Sequence, residues 1–202
     1  LDFTYWPPEP RGGAESRAPS PSAITESQHI LYHTCEILAG QLYPERTFTA
    51  TGQTGQWHRE RGERLALAWM QARATGGFAA WDAPRCIEDN LVALVHLTEF
   101  AEREGVWEMA GMLMDKIFFT LALNSYKGIF GSTHGSVHAP DVYGGLLDPT
   151  AGISRLMWGM GVFNHHIRGT VSLACMEEYG FPRLFQAIAA DLPEEMWSRE
   201  RQ

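Results

Sequence analysis

Four chemically different side chains lie within the segment from Asn124 to Gly135. They are the amide of Asn124, the phenol of Tyr126, the ammonium of Lys127 and the imidazole of His134. Three glycines in the segment allow backbone conformations that other residues avoid, and loops at the ends of rigid helices often carry functional sites. The segment therefore predicts a site. The alternative is a helix C-cap and a tight loop in which Asn124 and His134 only satisfy backbone groups.

A second polar cluster runs from Asn164 to Gly169 and contains His165, His166 and Arg168. Adjacent histidines in an extended segment point to opposite sides, so these two are not expected to chelate one metal together. One of them is expected to face a cleft. The sequence predicts neither a metal site nor a cofactor.

Carboxylates are the third group of residues that could carry chemistry. Glu26 stands before the first apolar run, and Asp82 lies in a turn close to Pro84. Either carboxylate could act as an acid or a base, although Glu26 could also be a helix-start acid and Asp82 could simply initiate the turn. Glu88 and Asp89 are expected to be acids of a first helical turn, where a negative charge complements the helix dipole.

Composition and charge limit the classes of partner that these residues could bind. The chain has 202 residues, 45% of them hydrophobic and 20% charged, which is typical of a folded globular domain. Its formal charge is −8, from 24 acidic against 16 basic residues, and no basic run is present. Nucleic acid and anionic membrane surfaces are therefore not expected as partners. No apolar stretch reaches the roughly 18 to 20 residues of a membrane-spanning helix.

Other sequence signals are sparse. The three cysteines, Cys35, Cys86 and Cys175, are far apart and odd in number, so we expect packing residues rather than disulfides or a zinc site. The start at Leu1 lacks the pattern of a signal peptide, and localisation is not predicted.

Helical periodicity dominates the chain after an extended Pro-rich segment over residues 1–28. Residues 29–202 are predicted as one helical domain, in which a long Gly-rich loop covers residues 127–150. Apolar residues occupy almost every angular position of the fourth helix, so this helix is expected to be buried on most sides. The predicted helices are 29–42, 57–73, 87–103, 106–123, 151–160, 169–179 and 182–190.

The predicted fold class is all-α. Antiparallel helices joined by short turns, with exposed helices alternating with an apolar one, favour helical hairpins that form an (α/α) toroid or part of one. About seven helices are too few for a closed ring of six hairpins. A plain helical bundle is the alternative.

Four segments carry a resemblance to a known group of proteins. They are Glu26 to His29, Leu38 to Gln41, Gly77 to Asp82 and Asn124 to Gly135. In order and spacing these segments resemble the helical domain of large (α/α)-toroid proteins related to carbohydrate-active enzymes. The resemblance covers about residues 25–140, and it implies an oligosaccharide or polysaccharide as the partner.

Toroids of this type that act on acidic polysaccharides commonly do so by β-elimination. That reaction needs a donor that neutralises the uronate carboxylate and a base that takes the C5 proton. Asn, His, Arg and Tyr can supply these groups, and the two polar clusters contain all four types, so on this interpretation Asn124 and Arg168 hold the carboxylate. His134 would then exchange protons together with Tyr126 or Tyr143, and His165 and Lys127 would also contact the sugar.

Two other functions remain open. Glycoside hydrolysis would use Glu26 and Asp82 as its carboxylate pair. A non-catalytic glycan-binding scaffold would explain why Ser27 and Gln28 replace the Asn-His that follows Glu in the related pattern, and why Ser136 replaces an Arg. Either enzyme would use aromatic side chains as platforms for sugar rings. The candidates are Trp6, Trp57, Trp81 and Trp158.

Overall fold

Eight helices and two small β-hairpins make up the part of the chain that the structure describes, residues 25–197 and 199 of a computed structural model. The helices are α1 (Glu26–Leu42), α2 (Gly55–Gly76), α3 (Pro84–Phe100), α4 (Glu104–Leu123), α5 (Ala139–Tyr143), α6 (Pro149–Trp158), α7 (Arg168–Ala174) and α8 (Arg183–Ala190). The strands are β1 (Thr47–Phe48), β2 (Gln53–Thr54), β3 (Ser125–Tyr126) and β4 (Ile129–Phe130), paired antiparallel as β1–β2 and β3–β4. The predicted all-α class is confirmed. Of the predicted Pro-rich segment, residues 1–24 lie outside the described residues.

Helix α1 begins three residues earlier than its apolar periodicity predicted. Thr25 caps it: the Thr25 hydroxyl accepts from the backbone N–H of Gln28 at 3.2 Å, and the Gln28 side chain accepts from the Thr25 backbone N–H at 2.9 Å. This reciprocal capping box satisfies two backbone donors at the helix start. It therefore places Glu26 in the first turn of the helix.

Helices α1 and α2 form an antiparallel hairpin. At one end Glu26 of α1 pairs with Arg73 of α2, and at the other end Gly40 of α1 lies against the first turn of α2. A Cβ atom on Gly40 would stand 2.5 Å from the backbone oxygen of Gly55, so only glycine permits this close approach. Within α2, Arg59 and Glu63 form an ion pair one helical turn apart, at 2.9 Å.

Helices α3 and α4 form a second hairpin beside the first. The Ser27 hydroxyl of α1 donates to the Cys86 carbonyl of α3 at 3.4 Å, so the two helices begin side by side and run parallel. The Lys116 ammonium of α4 donates to the Arg73 carbonyl of α2 at 2.8 Å, so α2 and α4 also end side by side and run parallel. The two hairpins therefore repeat in space.

The remaining helices extend this array. Helices α6 and α7 pack against α3, and α8 packs against α4. One continuous apolar core runs through the hairpins and reaches Phe130, Trp158 and Phe185. Burial of this apolar surface is the main source of stability for such a fold.

Some expectations for single elements were wrong. Helix α4 is buried over most of its surface, as expected, but it keeps an exposed strip that includes Trp107 and Met112, which are 40% and 56% exposed. Helix α7 ends at Ala174 instead of residue 179, and the predicted loop over residues 127–150 contains β4 and the short helix α5. Cys35 and Cys175 are exposed rather than packed. Among the described residues, no helix is both long and apolar enough to cross a membrane.

Candidate functional site

The candidate site lies at the end of the array where α1 and α3 begin and α2 and α4 end. The chain returns to this end through the segment that follows β4, residues 131–135. As a result, side chains that are fifty residues apart in sequence meet there.

Asp82 is the central carboxylate of the site. It precedes α3 in a left-handed conformation with a φ of 49°, which Asp tolerates better than most residues. Its Oδ2 accepts a short hydrogen bond from the Ser132 hydroxyl. Burial raises the pKa of the Asp82 carboxyl above its ordinary value, while the Ser132 hydrogen bond and the nearby His134 imidazole oppose that rise.

The segment that carries His134 is fastened to the turn that carries Asp82. The backbone N–H of Gly135 donates to the Trp81 carbonyl at 2.7 Å. A Cβ atom on Gly135 would stand 2.9 Å from the Trp81 indole, so glycine is required for this contact. Together with the Ser132 bond, it fixes His134 beside Asp82.

His134 is partly buried, and its ring lies 5.4 Å from the ring of Phe130. Its Nδ1 atom is buried and has no hydrogen-bond partner among the described residues. Buried polar atoms are normally paired, so such an atom calls for a partner such as a proton, a water molecule or a ligand. A neutral imidazole beside a carboxylate can take up a proton and be stabilised as imidazolium.

A small cavity adjoins Asp82. Its volume is about 20 Å³, which is room for one water molecule and not for a sugar ring. Asn90, which is 2% exposed, lines the cavity, and its Oδ1 has no hydrogen-bond partner among the described residues. Trp81, which precedes Asp82 in the chain, is half exposed.

Glu26 lies at the same end of the array but is already engaged. Its Oε1 pairs with the Arg73 guanidinium, and its Oε2 accepts from the backbone N–H of Ala79 at 2.8 Å. The indole of Trp69 donates to the Glu26 carbonyl at 3.1 Å. Glu26 therefore joins α1, α2 and the segment before α3.

The other candidates of the 124–135 segment are more dispersed. Asn124 caps α4, with its Nδ2 donating to the Thr120 carbonyl at 3.0 Å, and its carbonyl accepts from the Gly131 N–H at 2.9 Å. The side chain of Tyr126 is 59% exposed, and the Lys127 ammonium lies 5.1 Å from its ring centroid. Tyr126 and Lys127 thus belong to the β3–β4 hairpin, and among the described residues no hydrogen bond or ion pair joins them to Asp82.

Arg168 lies elsewhere, at the start of α7. Its guanidinium is 2.9 Å from Asp89 and 3.4 Å from Glu88. The expectation that Glu88 and Asp89 are first-turn acids was wrong, because α3 begins at Pro84 and both residues lie beyond its first turn. Glu88 is 1% exposed and accepts from the Gly169 N–H at 3.2 Å, so it fastens α7 to α3.

The adjacent histidines do not point to opposite sides. The rings of His165 and His166 lie side by side with centroids 4.1 Å apart, and Nδ1 of His166 is 3.9 Å from Glu88. The backbone turns at this point because Asn164 accepts from the His166 N–H at 2.8 Å, which is typical of an Asx turn. Within the described part of the chain, no group of three or more His, Cys, Asp or Glu residues could hold a metal ion.

Tyr143 and the proposed aromatic platforms are spread over the molecule. Tyr143 is almost fully exposed at the end of α5, and Trp57 is half exposed on α2. Trp158 was wrongly expected as a platform, because it is buried in the core. Trp6 lies outside the described residues.

Three further residues belong to the site without having been predicted from the sequence: Ser132, Asn90 and Arg73. Ser132 lies inside the predicted segment, so its type and position were available as a signal. Asn90 and Arg73 lie on helices whose register decides whether they face this end of the array. Only the packed structure shows that they do.

No protein-family model, curated protein or solved structure matches the chain.

Proposed function

We propose that this chain is part of an (α/α) toroid that cleaves a uronate-containing polysaccharide by β-elimination, with His134 as the base. The observation that carries the proposal is His134 itself, a partly exposed imidazole in a segment that the Ser132 hydroxyl and the Gly135 N–H hold beside Asp82. Two repeated helical hairpins, with parallel α1 and α3 and parallel α2 and α4, support the toroid.

The proposed reaction uses a single imidazole for both proton transfers. His134 takes the C5 proton, and Asp82 stabilises the resulting imidazolium by its negative charge. The C4–O bond to the leaving sugar then breaks, a C4–C5 double bond forms, and the imidazolium returns the proton to the leaving oxygen. Asn124, whose amide retains a second N–H, remains the proposed donor to the uronate carboxylate.

Glycoside hydrolysis is less well supported. That reaction needs one carboxylic acid to protonate the leaving group and a second carboxylate as base or nucleophile. Both oxygens of Glu26 are occupied, one by Arg73 and one by the Ala79 N–H, so Glu26 is poorly placed to give or take a proton. For that reason we prefer elimination over hydrolysis.

Absorbance of unsaturated uronate tests the proposal. The protein is incubated with a panel of uronate polysaccharides, and the expected result is an ultraviolet increase that His134→Ala reduces by at least about 100-fold. His138→Ala, an exposed histidine in the same loop, is the matched control and should keep the activity. Reducing ends without absorbance, lost in Glu26→Gln, would instead establish hydrolysis.

A further inference from the structure

A second cluster of reactive groups lies at the opposite end of the first hairpin, near the β1–β2 turn. Its centre is Glu36 of α1, whose side chain is fully buried. His58 and Arg61 of α2 contact this carboxylate, and Thr51 in the β1–β2 turn contacts His58. The proposed function uses none of these residues.

Two hydrogen bonds connect three of these groups in a line. The Thr51 Oγ1 atom lies 2.7 Å from Nε2 of His58, and Nδ1 of His58 lies 2.9 Å from Oε1 of Glu36. An ionised Glu36 only accepts, so in the neutral imidazole Nδ1 carries the proton and Nε2 is the acceptor. The Gln53 backbone N–H donates to Thr51 Oγ1 at 3.3 Å, which leaves the hydroxyl hydrogen for His58.

Burial and charge distinguish the two ends of this hydrogen-bonded line. The side chains of Glu36 and His58 are 0% and 2% exposed, whereas Thr51 is partly exposed in a turn whose neighbouring residues are exposed. One guanidinium nitrogen of Arg61 lies 3.0 and 2.9 Å from the two Glu36 oxygens. Burial opposes ionisation of Glu36, but the hydrogen bonds from His58 and Arg61, the charge of Arg61 and the His33 imidazole 3.9 Å away outweigh it and lower the pKa of this carboxyl.

From this geometry we infer that Thr51 is a nucleophile towards activated acyl groups, with His58 as its base and Glu36 as the carboxylate that orients His58. Hydroxyl, imidazole and carboxylate in this order are the arrangement by which enzymes activate a weak nucleophile. Thr51 Oγ1 attacks the acyl carbon, and its proton moves to Nε2 of His58. The bond to the leaving oxygen breaks, and His58 returns the proton to that oxygen. Water then hydrolyses the acyl-threonine ester and restores the hydroxyl.

The surrounding backbone limits the substrate class. The N–H groups of Thr51 and Gly52 both donate to the Phe48 carbonyl, at 3.2 and 2.8 Å, and the Gln53 N–H is bonded to Thr51 itself. These three donors are therefore not available to stabilise an oxyanion. Stabilisation of an oxyanion by such a donor commonly raises the reaction rate by about 100-fold or more. The site accordingly takes esters with good leaving groups, and the acyl form accumulates.

The test uses p-nitrophenyl acetate and the whole chain. We expect a burst of p-nitrophenol and an acetyl group that peptide mass mapping places on Thr51. Thr51→Ser should retain the adduct, Thr51→Val should abolish it, and His58→Gln should slow its formation by about 100-fold. Thr47→Val, in the neighbouring strand, is the matched control and should behave as wild type.

The result that overturns this inference is folded protein without acetyl on Thr51, or equal acetylation in Thr51→Val. In that case the three residues only fasten the β1–β2 hairpin to α1 and α2. His134→Ala should leave acetylation unchanged, so failure here and failure of the elimination proposal are distinguishable.

Discussion

At the scale of single residues, the ionised carboxyl of Asp82 is expected to lower the stability of the folded protein. Its carboxyl is partly withdrawn from water and is stabilised by one hydroxyl and a nearby imidazole. Because burial raises the pKa of this acid in the folded protein, the folded state favours the protonated form relative to the unfolded chain. The ionised form that the proposed elimination uses at neutral pH therefore reduces stability, as functional groups often do.

The variant Asp82→Asn should consequently be more stable than wild type at neutral pH. An amide can still accept from Ser132, tolerates the left-handed backbone and carries no charge to desolvate. The stabilising effect of the raised pKa is complete below the ordinary value of 3.8 and is lost as the pH rises through the folded value. Denaturant midpoints should therefore differ at pH 7 and converge near pH 3.8. A variant that is less stable than wild type at pH 7 would show that the charge of Asp82 is well compensated.

At the scale of elements, the close contact between α1 and α2 depends on one missing methyl group. A Cβ on Gly40 would stand 2.5 Å from the Gly55 oxygen and 2.7 Å from the Arg59 nitrogen, and both of these atoms belong to backbone that cannot move aside cheaply.

Gly40→Ala should therefore lower the free energy of unfolding by about 1 to 3 kcal/mol, because the two helices must separate. Gly105→Ala is the matched control, since a Cβ there meets nothing within 4 Å, and at this helical position it should leave stability unchanged or raise it by up to about 1 kcal/mol. Urea titrations followed by circular dichroism measure both changes. Equal effects in the two variants would mean that the helices do not pack as described.

Much of the element order could be predicted from local signals. Apolar periodicity identified the regions of α1 to α4, and the Thr25 to Gln28 capping box was also present in the sequence, although the predicted helix start did not use it. The two β-hairpins could not be predicted, because strands of two residues are too short to show alternation. The expectation for Glu88 was wrong because α3 begins at Pro84, earlier than the apolar periodicity indicates, so Glu88 lies beyond the first turn.

The site was only partly predictable. His134 and Asp82 were chosen for their chemical types, but their meeting depends on a hydrogen bond between residues fifty positions apart, Ser132 and Asp82. Arg168 was chosen on the same grounds, and the structure places it with Glu88 and Asp89 instead. Residue type indicates which chemistry is available, whereas long-range packing decides which groups share a site.

At the scale of the whole molecule, Glu36 links stability to pH. Hydrogen bonds and Arg61 hold the pKa of this buried carboxyl below its usual value in the folded protein, although burial itself opposes ionisation. Its contribution to stability is therefore present above the ordinary value of 4.5 and is lost as the pH falls through the folded value.

Glu36→Gln should accordingly show a weaker loss of stability on acidification below pH 4.5 than wild type. At pH 7 it should be less stable by about 3 kcal/mol, because Arg61 and His58 lose their charged partner. Glu108→Gln, an exposed acid on α4, is the control and should follow wild type at both pH values. Parallel curves for Glu36→Gln and wild type would contradict the lowered pKa.

The most direct test of the proposed elimination is the mass of the products released from a uronate polysaccharide. Elimination adds no water, so each cleavage should yield an oligosaccharide lighter by one water than the hydrolysis product, and His134→Ala should release it at least about 100-fold more slowly. Products of full hydrolytic mass, or a polymer that stays intact in the presence of folded protein, would contradict the assignment of His134 and Asp82 to this chemistry.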